Sequence, residues 1–123
     1  MLCRVSESSL RRRKRYLLID VISDTPVPKH EFAKVIFDNL LRIYGEYGAS
    51  RANLRLLGYG EEERMAIVCC SHDAVHMIRV VAASIDRIAN QPVIARVLHV
   101  SGTLKSLKRK KSVAHLLQRP ARR

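Results

Sequence analysis

One α/β (α+β) domain, with its elements in the order β-α-β-β-α-β, is predicted from three observations. Two stretches, Lys29–Tyr47 and Asp73–Asn90, carry apolar residues at helical spacing. Shorter runs rich in strand formers flank both of them. The chain has 123 residues of which 47% are hydrophobic, enough for one core and too few for two domains of roughly 100 to 200 residues each. Two helices each flanked by strands fit the split βαβ, ferredoxin-like plan, an antiparallel sheet with both helices on one face, as in RRM-like domains.

The first strand is Arg15–Asp24, closed by Thr25, Pro26 and Pro28. In the first helix, steps of ~100° place Phe32, Ile36, Leu40, Ile43 and Tyr47 on one stripe, and Gly48 is expected to end it. Arg51–Gly60 alternates polar and apolar residues as a half-exposed edge strand. Gly58–Glu63 makes a turn, and the apolar run Met65–Ser71 completes a hairpin as an interior strand. Asp73 is expected to cap the second helix, whose stripe is Ala74, Met77, Ile78, Val81, Ile85 and Ile88. Val93–Val100 is the last strand, and Thr103 opens a short basic helix to about Leu117. Because Leu17, Ile19 and Val21 alternate with Leu18 and Ile22, the inner strands look apolar on both faces. The second face is therefore expected to lie under the terminal helix, a partner protein or a second copy.

Charge divides the chain into three parts. The whole carries +12, distributed as +5 over residues 1–15, −1 over 16–102 and +8 over 103–123. This division gives a basic N-terminal extension, a ferredoxin-like domain, and a basic C-terminal helix and tail. Two clusters hold the excess: Arg11, Arg12, Arg13, Lys14 and Arg15 before the domain, and Lys105, Lys108, Arg109, Lys110 and Lys111 after it. Such blocks are often plain solvated tails. Flanking one small domain, they point instead to a polyanion, since each neutralised phosphate releases counterions. No apolar run approaches the ~18 residues of a membrane span, and none of ~7 to 15 residues follows the basic start as in a signal peptide. No membrane partner is expected. Cys3, Cys69 and Cys70 are odd in number and form no CxxC pair, which fits a reducing, cytoplasmic setting.

The remaining chemistry-bearing residues read more plainly as structure. His72 and His76 have i, i+4 spacing but no HExxH pattern, Cys69 and Cys70 lack an activating arrangement, and Glu61–Glu63 are like charges on a hairpin tip. No catalytic residue and no metal or other cofactor is assigned to the protein. A small phosphatase with an Arg-lined anion loop would have only Arg15 and Asn53 to offer, and a ligand-sensing dimer leaves the basic tails unexplained. Ser101, Gly102 and Thr103 lie where a strand ends and a basic helix opens, a place suited to phosphate or to an ordinary turn. An RNA-recognition motif stacks bases on sheet aromatics, of which only Tyr16 is present on the inner strands, so binding to folded RNA by charge and shape is expected instead.

The run Ser9-Leu10-Arg11-Arg12-Arg13-Lys14-Arg15-Tyr16-Leu17, together with Leu98-His99-Val100-Ser101-Gly102-Thr103-Leu104, resembles component 2 of archaeal ribonuclease P. That family is the counterpart of a eukaryotic ribonuclease P/MRP subunit of the Pop group. Tyr44-Gly45-Glu46-Tyr47-Gly48 is also similar, whereas Ser101 departs from a glycine of some relatives and residues 1–8 lie outside the likeness. The resemblance implies a non-catalytic protein subunit of the ribonucleoprotein endoribonuclease that removes 5′ leaders from precursor tRNA. There the RNA holds the catalytic site and its Mg ions. It further implies ribonuclease P RNA as partner, a TIM-barrel-like protein subunit in a heterotetramer of two copies each, and other ribonuclease P proteins. On this reading the two basic clusters, with Tyr16, His99, Ser101, Gly102 and Thr103, meet RNA; His99 is placed either against a phosphate or inside the domain. A ribosomal or other structured-RNA-binding protein of the same fold is the alternative.

Overall fold

The computed structural model describes residues 13–105 and Leu107. In chain order they form β1 (Lys14–Ser23), α1 (Lys29–Ala52), β2 (Arg55–Gly60), β3 (Met65–Ser71), a 3-10 turn (His72–Ala74), α2 (Val75–Ser84), β4 (Arg87–Ile88) and β5 (Gln91–Ser101). The strands lie in the order β2-β3-β1-β5-β4, with each pair antiparallel. Apart from the two-residue β4, this is the ferredoxin-like arrangement expected from the sequence, with β2 at one edge and β3 inside.

Both helices pack on one sheet face. Leu17, Ile19 and Val21 of β1, Ala66, Val68 and Cys70 of β3, and Val93 and Ala95 of β5 meet Phe32, Ile36, Leu40, Ile78 and Val81 in the main core. Phe32 stacks on Tyr59 with ring centroids 5.3 Å apart, and Tyr59 Oη donates to the Val27 carbonyl at 2.7 Å, which ties the edge strand to the start of α1. The second face carries its own cluster. Leu18 and Ile67 are fully buried there beneath Leu107, with Tyr16, Met65, Leu98 and Leu104 around them. Of the three expected covers, the start of the terminal helix supplies this one among the described residues, through Leu104 and Leu107. At the other end Ile22 and Ile94, paired across β1 and β5, stay 42% and 61% exposed.

Several sequence-based boundaries move. The α1 helix does not end at Gly48: it breaks at Gly45, which holds φ 75° and ψ 176°, and resumes as far as Ala52. Asn53, in the left-handed conformation, ends it, and its N–H donates to the Ala49 carbonyl at 3.2 Å. The stretch 51–54 is therefore helix end and turn rather than strand. Buried positions follow the row Phe32, Ile36, Leu40 with Tyr44 half-buried after them, so Ile43 and Tyr47 face outward instead of joining the stripe. Asp73 does not cap α2, because it lies inside the 3-10 turn and no side chain caps the helix at Ala74. The second helix also ends early, at Ser84. Ile85 is extended and Ile88 lies in β4, yet both are buried where the helical reading had put them.

Candidate RNA interface

Strand register brings the two ends of the chain together. Tyr16 pairs with Ser101, Leu17 with Val100 and Leu18 with His99, so the start of β1 and the end of β5 run side by side. A bulge at Leu98 sets the facing of this end, since Ile19 pairs with Val97 while Leu18 pairs with His99. The extra residue turns Leu98 and His99 both to the second face and returns Val100 to the main core. Without it His99 would point at the helices. On its other side β1 begins at Lys14, which pairs with Ser71 of β3, and the His72 N–H donates to the Arg13 carbonyl at 2.8 Å.

The basic run thus enters the sheet between β3 and β5. Arg13 and Lys14 are exposed and Arg15 is half-buried. The Arg15 guanidinium donates from Nη1 to the Lys14 carbonyl at 3.1 Å and lies 3.8 Å from where a Cβ on Gly102 would stand. Gly102, Thr103 and Lys105 are exposed at the same end. Tyr16 and His99 are half-buried, with Tyr16 packed against the cluster under Leu107 rather than standing open. Arg11, Arg12, Lys108, Arg109, Lys110 and Lys111 lie outside the described residues, as does most of the expected terminal helix.

Ser101 is buried, and its hydroxyl works within the turn. It donates to the Thr103 carbonyl at 2.9 Å and accepts the Thr103 N–H at 3.2 Å. The Thr103 carbonyl in turn accepts the Leu107 N–H at 3.3 Å, the first bond of the helical turn that carries Leu104, Lys105 and Leu107. The Ser101 hydroxyl therefore closes this turn on itself. Gly102 has an ordinary negative-φ backbone and room for a side chain, so its backbone conformation does not require glycine.

Two more cations belong to this end: Arg55, on β2 as expected, and Arg51, which the strand reading of 51–54 concealed. Arg55 pairs with Cys69 across β2 and β3, and Lys14 and Arg55 both act on the Cys69 thiol, which burial pushes up and these two cations pull down. Arg51, on the last turn of α1, accepts the Ser71 hydroxyl on its carbonyl at 3.1 Å and reaches Asp73 at 3.9 Å. Cys70 behind them is pushed up to about 12, by burial first and then by Cys69 and Asp73, and at neutral pH it is a protonated core thiol.

The far end of the sheet has the opposite character. The β2–β3 hairpin tip carries Glu61, Glu62 and Glu63, and Asp24 after β1 and Asp86 before β4 lie at the same end of the sheet, interspersed with Lys29, Arg64 and Arg87. Glu61 is engaged there, accepting the Lys29 N–H at the start of α1 at 3.2 Å. A molecule polarised in this way presents its basic end to a polyanion and turns its acidic end away.

A model of the Rpp14/Pop5 family matches residues 15–111, from the basic entry of β1 to the cluster after β5. Ribonuclease P protein component 2 of Pyrococcus furiosus is 34% identical over 102 residues, 83% of this chain and 85% of that one. The protein of the same name from Methanosarcina barkeri is 33% identical over 97 residues, 79% of this chain and 70% of that one. A chain in the cryo-EM structure of yeast ribonuclease MRP shares the fold, with a TM-score of 0.58 over 82% of this chain and 92% of that one at 13% identity. With the match running through the sheet, both helices and the turn that leads from β5 into the second basic segment, the chain belongs to the Rpp14/Pop5 family of ribonuclease P protein subunits.

Proposed function

We propose that this chain is a non-catalytic protein subunit of ribonuclease P that binds the catalytic RNA and supports removal of 5′ leaders from precursor tRNA. One observation carries the reading most directly: Arg13, Lys14 and Arg15 enter the sheet beside the Ser101–Thr103 turn, so both basic termini leave from one end of the fold. Among the described residues Arg13, Lys14, Arg15 and Lys105 thereby add their charge at that one end. Closely packed RNA helices repel one another through their phosphates, and cations held at that surface lower the concentration of divalent ions the RNA needs to fold. The cleavage chemistry and its Mg ions belong to the RNA.

Protein partners fit the other end. The exposed Ile22–Ile94 pair is remote from the basic pole and supports docking of a protein, for which a TIM-barrel-like ribonuclease P subunit in a heterotetramer of two copies each is the expected occupant. Other ribonuclease P proteins complete the assembly, in the cytoplasm.

The reading is tested by purifying the tagged protein from its own cells under a stringent salt wash and sequencing the RNA that stays bound. Enrichment of ribonuclease P RNA is expected. Enrichment of ribosomal RNA in its place would move the basic surface to the ribosome and overturn the assignment.

A further inference from the structure

Tyr47 is 76% exposed, the most exposed large apolar side chain among the described residues. Its position is nevertheless built. The break at Gly45 sets the last turns of α1 apart from the preceding run, and a Cβ on Gly48 would lie only 2.7 Å from the Tyr44 Cβ, so the two segments are pressed together where only glycine fits without a shift. One turn on, the Arg51 guanidinium lies 5.7 Å from the Tyr47 ring centroid, and Arg51 Nη1 donates to Tyr47 Oη at 3.5 Å. Arg51 is itself anchored, by its contact with Asp73 at 3.9 Å and by the Ser71 hydroxyl on its carbonyl. Ser71 is the strand partner of Lys14, and the next N–H, that of His72, is bonded to Arg13. A chain of direct contacts therefore runs from the open aromatic ring to the point where the basic segment enters the sheet.

We propose that Tyr47, backed by Arg51, is a stacking platform for an unpaired base of the RNA whose phosphates Arg13 and Lys14 neutralise. This rests on the ribonuclease P RNA reading above and adds to it a contact with a base. A cation on one face of the ring leaves the other free, and a base with an unoccupied face, in a loop or bulge, is the ligand that such a surface takes. A protein would be expected to ask for apolar neighbours. Those of Tyr47 on this segment include Glu46, Ser50 and Arg51, while the exposed Phe37, Leu41 and Ile43 stand on the other side of the Gly45 break.

The chain contains no tryptophan, so Tyr47→Trp places a single indole at the platform. Full-length protein is titrated with the ribonuclease P RNA of its own organism. Indole fluorescence is expected to be quenched as the complex forms. Tyr47→Ala should weaken binding by about 5- to 150-fold and Tyr47→Phe should bind as the wild type does, because stacking needs the ring and not the hydroxyl. Wild-type binding by Tyr47→Ala, alongside wild-type protein that binds the RNA, would overturn the platform and leave the ribonuclease P reading standing. Weakened binding without quenching would assign Tyr47 to a protein contact or to its own segment's structure and would likewise overturn stacking. Failure of the wild-type protein to bind this RNA at low salt would overturn both readings.

Discussion

Gly45 holds φ 75° and ψ 176°, a part of backbone space that a Cβ all but closes, and no atom stands within 4 Å of where that Cβ would be. The cost of a side chain there is therefore conformational alone. In an unbroken helix Gly→Ala stabilises by about 1 kcal/mol, so the sign of the change separates a break from a helix interior. Gly45→Ala should destabilise by about 1 to 3 kcal/mol, seen as a lower urea midpoint with unchanged slope; a stabilised variant would contradict the break. Single residues also decide what the other end of the fold presents. One extra residue at Leu98 turns His99 to the second face, and Ser101 spends its hydroxyl within its own turn. Neither is visible in a sequence, because a bulge changes register without changing composition and a serine's hydrogen bond depends on where the chain goes next.

Elements were legible where period and burial agree. Hydrophobic spacing gave both helices, all the longer strands and the β2–β3 hairpin, because each must bury one face and the period of that face is fixed by backbone geometry. It failed where two geometries deliver the same residues to the core. Ile85 and Ile88 continue the α2 stripe by spacing, yet they reach the core through an extended turn and β4, so periodicity alone could not end the helix at Ser84. Arg51, Asn53 and Arg55 alternate as a strand would, which concealed a helix end and with it the place of Arg51 beside Tyr47. The apolar second face of β1 and β3 was a sound signal, and the terminal turn answers it through Leu107. Leu107 is fully buried, so Leu107→Ala should cost about 2 to 5 kcal/mol. It should also raise binding of a hydrophobic dye as Leu18 and Ile67 become accessible; unchanged stability and dye binding would remove the turn from the core.

At the scale of the whole molecule, function follows from where charge is collected. A domain of net −1 between tails of +5 and +8 could have held those tails at opposite poles, and the sequence does not say which arrangement holds. Antiparallel pairing of β1 with β5 settles it for the described residues, bringing Arg13–Arg15 beside the Ser101–Thr103 turn, with Glu61–Glu63 at the far end. The most direct measurement is the salt dependence of binding to ribonuclease P RNA, for the wild-type protein and for a variant with Lys108, Arg109, Lys110 and Lys111 changed together to Gln. If these cations neutralise phosphates, the variant keeps its fold by circular dichroism, binds more weakly, and has a slope of log K against log salt that is shallower by up to about 3. A slope equal to that of the wild type would contradict the account.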